Sequence, residues 1–186
     1  NLESNLSLLG ITAIEDKLQE GVGRTLTNLM NCNIRVWVLT GDREDTALEI
    51  GRSCKLVNDN MNIIYLNSIV TYELEQQMIQ LLIDFKLLSD EFLGKNFSLY
   101  ENLEEIIKLD INQIRIHFSK ILKGKDCCLV VDGSALNIIF ESYPLSTAFF
   151  AIASGCLSVI CCRLSPKQKS RIVKLVKVHG DFVTLS

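Results

Sequence analysis

Short runs of β-branched and other apolar residues alternate along this chain with stretches whose apolar positions have the spacing of a helix. The apolar runs predict strands that are covered on both faces, as in a parallel sheet. We predict strands at 6–13, 34–39, 127–131, 157–162 and 181–186, with a short one near 63–66. We predict helices at 22–32, 44–54, 146–154 and 166–178, the last of which begins with a proline that suits a first helical turn.

The order of these elements predicts the fold class. Strands that alternate with helices over short connections form right-handed βαβ units, and such units build a parallel sheet with helices on both faces. Residues 67–126 differ, because Glu, Gln, Lys and Asn mix there with Leu and Ile in long helix-compatible stretches without a clear strand signal. We therefore predict a single Rossmann-like, three-layer α/β domain. A helix-rich insertion at 67–126 separates its first βαβ half, 1–66, from its second, 127–186.

The composition agrees with one compact domain, since 48% of the residues are hydrophobic and only two are prolines. No stretch has the roughly 18 uninterrupted apolar residues that a membrane-spanning helix needs. The formal charge of −3 provides no basic surface for nucleic acid, so we expect no nucleic-acid partner. The first residues contain neither an initiator methionine nor a basic leader, and we expect the chain to be a piece of a longer protein.

The seven cysteines follow neither a metal-binding nor a disulfide pattern. Cys127-Cys128 and Cys161-Cys162 are vicinal pairs within apolar, strand-like runs, whereas zinc sites space their cysteines as C-x-x-C and secreted domains use disulfide frameworks. We interpret the cysteines as reduced, buried thiols that behave as small apolar residues. That interpretation favours a cytosolic setting.

The sharpest candidate for chemistry is Thr40-Gly41-Asp42, which stands at the end of a predicted strand and just before a predicted helix. Free N–H groups at a helix start attract anions, and α/β sheets bind ligands at the carboxyl ends of their strands. Gly41 would let the chain approach a ligand closely, and Thr40 can donate its hydroxyl. The segment therefore predicts a phosphate site. The alternative is that Asp42 only caps the helix, with Asp45 reaching back as in a capping box.

Four segments in this order point beyond a generic α/β protein. They are TAIEDKLQEGV from Thr12, IRVWVLTGDREDTALEIGRSCKLV from Ile34, LVVDG from Leu129 and VICCRLSPKQKSRIVKLVK from Val159. The residues of these segments and their order along the chain resemble the phosphorylation domain of P-type ATPases. The resemblance is specifically to the type IV branch, the phospholipid-transporting ATPases or flippases. The resemblance covers residues 6–66 and 127–186 and leaves the middle unassigned. It implies the haloacid-dehalogenase fold.

The resemblance also implies roles for individual residues. In that fold a phosphoryl group is held between an aspartate nucleophile, a Thr or Ser, a Lys and a Mg²⁺ ion. By position, Thr40 would hydrogen-bond a phosphoryl oxygen, Gly41 would allow close approach, and Asp42 would help to order the nucleotide. Lys169, in the P-x-x-K helix, would neutralise charge on the phosphoryl group during catalysis.

The same resemblance assigns two further residues to the nucleotide or phosphate site. Arg163, just before the P-x-x-K helix, would support the pocket, and Asp16 matches a position that similar ATPases place beside the nucleotide. Simpler explanations exist, because Lys169 lies among other cations of a kind that are usually solvated, and Asp16 would also serve merely to start a helix. Asp132 is not assigned to the site, because D-G dipeptides are usually turns.

The chain departs from the family pattern in two ways. Arg43 follows T-G-D where similar ATPases usually have lysine, and a guanidinium presents a planar fork rather than a point charge. The nucleophile motif D-K-T-G-T and the Mg²⁺ loop G-D-G-x-N-D are both absent from the chain. We therefore expect no metal ligand in this segment and no turnover by the segment alone.

For the whole protein the resemblance implies ATP- and Mg²⁺-dependent transport of phospholipid between bilayer leaflets through an aspartyl-phosphate intermediate. The implied partners are the phospholipid, bound by a transmembrane domain outside this chain, the nucleotide-binding and actuator domains of the same protein, and a transmembrane accessory subunit. The implied location is a cytosolic domain of an integral membrane protein. Two alternatives remain open: a soluble phosphatase of the same fold, and a transporter-like regulatory module fused to another enzyme such as a cyclase.

Overall fold

The computed structural model describes residues 6–13, 18–85 and 126–179. The described residues form a sheet of four parallel strands in the order β1-β4-β3-β2. The strands are β1 (Val36–Leu39), β2 (Asn62–Leu66), β3 (Cys127–Asp132) and β4 (Ser158–Cys162). The predicted α/β fold with a parallel sheet is thereby confirmed.

Six helices accompany the sheet in the part of the chain that the structure describes. They are α1 (Val22–Asn31), α2 (Glu44–Ser53), α3 (Thr71–Asp84), α4 (Gly133–Glu141), α5 (Tyr143–Gly155) and α6 (Pro166–His179). The predicted helices at 22–32, 44–54 and 166–178 correspond closely to α1, α2 and α6. α3 confirms the helical character of the first part of the insertion, whose residues 86–125 lie outside the described residues.

Alternate residues of β3 belong to two hydrophobic cores, one on each face of the sheet. Leu129 and Val131 belong to the larger core, to which α3, α4, α5 and α6 contribute. Cys128 and Val130 belong to the smaller core together with Ala47 of α2. Because both faces are covered, every residue of β3 is buried. This explains why the residues before Asp132 are all apolar and do not alternate with polar ones.

The register of the strands brings their carboxyl ends to one edge of the sheet. Leu39 of β1 pairs with Cys161 of β4, and Asp132, the last residue of β3, pairs with Cys162. The residues that follow β1 and β4 therefore lie side by side, next to Asp132. In parallel α/β sheets this is the edge at which ligands bind.

The strand predicted at 6–13 is wrong. These residues have no regular secondary structure and are exposed, with Leu9 99% accessible to solvent. An apolar run is stable as a strand only where a neighbouring strand satisfies its backbone groups and another layer covers its side chains. None of the described strands pairs with this segment. The strand predicted at 181–186 lies outside the described residues and stays a prediction, as does the division of the chain at 66 and 126.

The region between β3 and β4 holds more helix than the sequence pattern predicts. The helix predicted at 146–154 is confirmed, but α5 extends it in both directions and begins at Tyr143 with Ser142 as its N-cap. α4 is a second helix that the pattern does not predict. It begins at Gly133, so the prediction of a simple turn at Asp132-Gly133 is wrong.

Candidate functional site

Thr40, Gly41 and Asp42 form the turn that leads from β1 towards α2. The amide of Thr40 donates to the carbonyl of Cys161 (3.0 Å), which extends the pairing of β1 with β4 by one residue. The hydroxyl of Thr40 donates to a carboxylate oxygen of Asp42 (2.5 Å) and accepts from the amide of Asp42 (3.1 Å). Thr40 is half-buried and Asp42 is exposed, so this hydroxyl and carboxylate are accessible to a ligand from outside.

The interpretation of Asp42 as a helix cap is wrong. α2 begins at Glu44, its N-cap is Arg43, and no side chain caps its first amides. The first turn of α2 carries two acidic residues, Glu44 and Asp45, whose charge disfavours an anion at this helix start. A phosphate group at this edge would therefore depend on the hydroxyl and the cations of the adjacent loops rather than on α2.

Gly41 is not required by the backbone conformation. Its φ lies outside the left-handed region, and a Cβ built on it would come no closer than 3.6 Å to the nearest atom, the carbonyl oxygen of Leu164. That distance is an ordinary van der Waals contact, so the fold would accept alanine here. The missing side chain leaves the exposed backbone of the turn open to close approach by a ligand.

Two backbone hydrogen bonds join this turn to the loop that follows β4. The amide of Arg163 donates to the carbonyl of Asp42 (2.8 Å), and the amide of Leu164 donates to the carbonyl of Thr40 (2.9 Å). Arg163 has a φ of 53°, in the left-handed region, which costs a residue with a side chain about 1–2 kcal/mol. The structure thus brings Arg163 beside Asp42, at the edge where the sequence expects it.

Asp132 ends β3 and caps α4. One carboxylate oxygen accepts from the amide of Ser134 (2.8 Å) and from its hydroxyl (2.5 Å). The other forms an ion pair with the guanidinium of Arg163 at 3.3 Å. The carboxylate side chain is only 10% exposed, whereas that of Arg163 is 54% exposed. The D-G dipeptide is therefore a helix cap and not a simple turn, and Asp132 lies at the same edge as Arg163.

Gly133 lets the start of α4 approach the Arg163 loop closely. A Cβ at Gly133 would lie 2.5 Å from the carbonyl oxygen of Arg163 and 3.4 Å from that of Cys162. Both atoms are backbone and cannot rotate away, so only glycine fits. Asp132 and Gly133 together hold the loop after β4, the first through its side chain and the second through its lack of one.

α6 begins directly after this loop with a capping box. The amide of Ser165 donates to the side-chain oxygen of Gln168 (2.8 Å), and the amide of Gln168 donates back to the hydroxyl of Ser165 (3.4 Å). Lys169 comes next, half-buried, and its amide donates to the carbonyl of Ser165 (3.2 Å). No other described residue forms an ion pair with Lys169. Within the described residues, the ammonium group of Lys169 therefore has no fixed anionic partner.

Two residues of this edge, Asp132 and Gln168, are missed by the sequence analysis. The S-P-K-Q sequence at 165–168 has the S-x-x-Q form of a capping box, which was the available signal for Gln168. The signal for Asp132 was its place at the end of an apolar strand, as for Asp42. Its ion pair with Arg163 joins residues 31 positions apart and leaves no local trace in the sequence.

The site has no cluster of ligands for a metal ion in the described part of the chain. No group of three or more His, Cys, Asp and Glu residues is placed to hold one. The carboxylate of Asp42 accepts a hydrogen bond from Thr40. That of Asp132 accepts from Ser134 and pairs with Arg163. Asp16 lies outside the described residues, so its expected position beside a nucleotide stays a prediction.

All seven cysteines are free, and all except Cys32 are buried. The prediction of buried thiols is therefore confirmed for six of them and wrong for Cys32. Burial, together with the nearby charge of Asp132, raises the pKa of Cys162 to about 11. Its sulfur lies 4.0 Å from the carboxylate of Asp132, but as a neutral thiol it is not a nucleophile at neutral pH.

The fold and the edge define an α/β protein of the Rossmann type. At the carboxyl ends of its strands lie the hydroxyl of Thr40, the carboxylates of Asp42 and Asp132, and the guanidinium of Arg163. No protein-family model matches the chain. Comparison with curated proteins nevertheless finds clear relatives. The chain is 37% identical over 185 residues to the phospholipid-transporting ATPase DRS2 of Saccharomyces cerevisiae. It is 37% identical over 185 residues to the phospholipid-transporting ATPase C887.12 of Schizosaccharomyces pombe, and 34% identical over 188 residues to the probable phospholipid-transporting ATPase IM of Homo sapiens.

On this evidence the chain belongs to the type IV P-type ATPases. Each alignment covers 100% of this chain, but the chain spans only 11%, 12% and 15% of the respective relatives. Among the helices that the structure describes, none is both long enough and apolar enough to cross a bilayer.

Proposed function

We propose that this chain is most of the phosphorylation domain of an ATP-driven transporter that moves phospholipid between bilayer leaflets through an aspartyl-phosphate intermediate. One observation carries the proposal: the two backbone hydrogen bonds that join the Thr40 turn to the loop before Lys169. They bring a hydroxyl-bearing turn and the start of a cationic helix to one edge of the sheet. The names of the relatives, all phospholipid-transporting ATPases, support the substrate class.

In this proposal Thr40 and Lys169 are the catalytic residues. The hydroxyl of Thr40 turns from Asp42 to a phosphoryl oxygen, to which it donates a hydrogen bond. Lys169 neutralises the negative charge of the phosphoryl group as it is transferred and hydrolysed, and Gly41 allows the group to approach the backbone. Fixed donors and charges of this kind stabilise the transition state because they need no reorganisation, and loss of one donor typically costs about 100-fold to 1,000-fold in rate.

Three other residues bind the nucleotide in this proposal. Asp42, once released by Thr40, accepts hydrogen bonds from the ligand, and Arg163 has a guanidinium that is 54% exposed and able to reach an anionic group. Asp16 acts beside the nucleotide, as the family resemblance implies. ATP supplies the phosphoryl group and Mg²⁺ screens its charge, with the ligands of the ion and the nucleophilic aspartate contributed from outside this segment.

The proposed setting is a cytosolic domain of an integral membrane protein. There the chain would work with the nucleotide-binding and actuator domains of the same protein, with a transmembrane domain that binds the lipid, and with a transmembrane accessory subunit. The segment by itself would have no turnover, because it contains neither D-K-T-G-T nor G-D-G-x-N-D.

The test is acid-stable ³²P labelling of the full-length protein with ATP, with and without added phospholipid. We expect a hydroxylamine-sensitive phosphoenzyme that decays faster with one particular lipid. Lys169→Ala should slow turnover by about 100-fold, whereas Lys167→Ala, an exposed lysine two residues earlier on the same helix, should leave it within a factor of about two. No label in the unmodified protein, or equal effects of the two substitutions, would contradict the proposal.

The two alternatives, a soluble phosphatase and a regulatory module fused to another enzyme, find no support in the relatives named above. The same experiment separates them. A phosphatase would release phosphate without any response to lipid, and a regulatory module would take no label.

A further inference from the structure

The side chain of Gln168 is buried between α6 and α4 with all of its hydrogen-bonding groups in use. It is 8% exposed. Its nitrogen donates to the carbonyl of Gly133 (2.6 Å) and to the side-chain oxygen of Asn137 (2.9 Å). Its oxygen accepts from the amide of Ser165 (2.8 Å) and from the hydroxyl of Ser165 (3.0 Å). A primary amide has two donors and two acceptor positions, so this one is fully satisfied.

The orientation of this amide is fixed by its partners. Gly133 presents a carbonyl oxygen, which can only accept, and the backbone N–H of Ser165 can only donate. Rotating the amide by half a turn would place its oxygen against the carbonyl oxygen of Gly133 and its nitrogen against the N–H group of Ser165. Gln168 therefore has one stable orientation, and it connects the first turn of α6 to the first residue of α4.

That connection lies directly beside the residues of the proposed site. Lys169 is the next residue of α6, and holding the backbone at Gln168 also fixes where the Cα–Cβ bond of Lys169 points, since the turn between successive helical residues is constant. Gly133 in turn contacts the backbone of Arg163, whose amide holds Asp42. The start of α4 thus serves as a common support for Lys169 and for the loop that holds the Thr40 turn.

We infer that Gln168 is a positioning residue, which fixes Lys169 relative to the Thr40-Gly41-Asp42 turn by tying the first turn of α6 to the Gly133 carbonyl at the start of α4. This inference rests on the proposed function, because it gives Lys169 its role in phosphoryl transfer. Gln168 itself touches no substrate. The capping box with Ser165 stabilises the first turn of α6. The hydrogen bond from Gln168 to Gly133 fixes the position of that turn relative to α4.

The chain offers a matched control on the same two helices. Arg171 donates to the carbonyl of Phe140 (2.8 Å), and its guanidinium lies 4.5 Å from the centre of the Phe140 ring. This second tie also joins α6 to α4, but it is formed near the end of α4, seven helical positions or about two turns away from Gly133. Arg171→Met therefore removes a tie between the helices without touching the helix start beside the site.

Two substitutions separate the roles of Gln168. Gln168→Glu keeps an acceptor for Ser165, since Glu serves in a capping box as well as Gln, but it has no N–H group for Gly133. Gln168→Met removes both interactions at similar length and without introducing a charge. In the full-length protein we expect both to lower ATP turnover by about 10-fold to 100-fold, the scale of a misplaced catalytic group, with the KM for ATP little changed. Arg171→Met should lower thermal stability to a similar extent and leave turnover within a factor of about two.

The decisive comparison combines Gln168→Met with Lys169→Ala. If Gln168 acts through Lys169, the double variant turns over no more slowly than Lys169→Ala alone, because the two substitutions remove the same contribution. Effects that multiply, or an Arg171→Met variant as slow as Gln168→Met, would overturn the inference and leave Gln168 as a structural residue.

Hydrogen exchange of the full-length protein tests the tie independently of catalysis. Gln168→Glu and Gln168→Met should speed exchange of the backbone amides in the peptide 163–169, whereas Arg171→Met should not. If the unmodified protein takes no ³²P label, the proposed function fails, and faster exchange would then still support the positioning of the helix start. Unchanged exchange in both Gln168 variants would overturn the inference whatever the labelling shows.

Discussion

The amide of Arg163 donates to the carbonyl oxygen of Asp42 over 2.8 Å, and this bond ties the loop after β4 to the turn after β1. Arg163 has a left-handed φ of 53° and also pairs through its side chain with Asp132 at the end of β3. One residue therefore connects the carboxyl ends of three strands. A strained backbone persists only where the surrounding structure holds it, and such positions concentrate at functional sites.

The strain at Arg163 predicts an order of stability for two variants. Arg163→Ala and Arg163→Gly both lose the pair with Asp132, but only glycine adopts a left-handed φ without cost. We expect the glycine variant to be more stable than the alanine variant by about 1 kcal/mol. Urea unfolding of the chain measures this through the fluorescence of Trp37, its single tryptophan, which packs edge-to-face on Phe149 of α5. An alanine variant of equal or greater stability would show that the left-handed conformation is not costly here.

Two glycines at this edge should respond differently to alanine. Gly133→Ala places a Cβ 2.5 Å from the carbonyl oxygen of Arg163, and overpacking against backbone costs about 1–3 kcal/mol. Gly41→Ala meets nothing closer than 3.6 Å, so we expect its free energy of unfolding to stay within about 0.5 kcal/mol of the unmodified chain.

The same pair of variants tests the proposed phosphate site. In the full-length protein, Gly41→Ala should reduce phosphoenzyme formation although the fold is intact, because the new methyl group occupies the approach to the turn. Normal labelling of Gly41→Ala would show that no ligand comes close to this backbone.

The main part of the edge is predictable from sequence because two local patterns and one topological rule determine it. T-G-D follows one apolar strand, C-C-R-x-S-P-x-x-K begins at the end of another, and parallel strands end at a common edge. The rule brings Thr40, Asp42 and Arg163 together without any knowledge of side-chain contacts. The family resemblance then names Lys169 among several lysines that periodicity alone cannot distinguish.

What the sequence pattern misses depends on contacts between distant residues. The segment 6–13 has the composition of a buried strand, but strand formation requires partners that composition does not reveal. α4 is hidden because Asp132-Gly133 suits both a turn and a helix start, and the choice is made by the close approach of Arg163 to Gly133. Gln168 is a polar residue on a basic helix, and only its packing against α4 explains its burial.

The exposure of the cysteines predicts their reactivity. Burial raises the pKa of Cys127 and of Cys162 to about 11 each, and also raises that of Cys54, Cys128, Cys156 and Cys161. Cys32 is the one exposed thiol of the seven. We expect one thiol of the folded chain to react rapidly with Ellman's reagent at pH 7.5 and all seven to react in denaturant. Cys32→Ser should abolish the rapid phase, and a rapid phase of two or more thiols would contradict the burial of the vicinal pairs.

His179 is the last residue of α6, and we predict that it lowers the stability of the folded chain in mild acid. The centroid of its ring lies 5.4 Å from that of Phe150 and 5.6 Å from that of Tyr143. Burial lowers the pKa of His179 below the usual 6.5. The unfolded chain therefore takes up this proton at a higher pH than the folded chain. As the pH falls below about 6.5 the unfolded state is favoured, until the folded His179 is protonated as well.

The measurement is the difference in unfolding free energy between the unmodified chain and His179→Phe, since the second histidine and all carboxylates contribute equally to both. We expect this difference to be constant above pH 7 and to shift in favour of the variant between pH 6.5 and pH 5, because phenylalanine keeps the aromatic packing and cannot be protonated. A shift in favour of histidine would mean that the attraction of the cation to the carboxyl end of α6 outweighs its burial. The sign of the change thus decides which of two opposing effects governs this helix end.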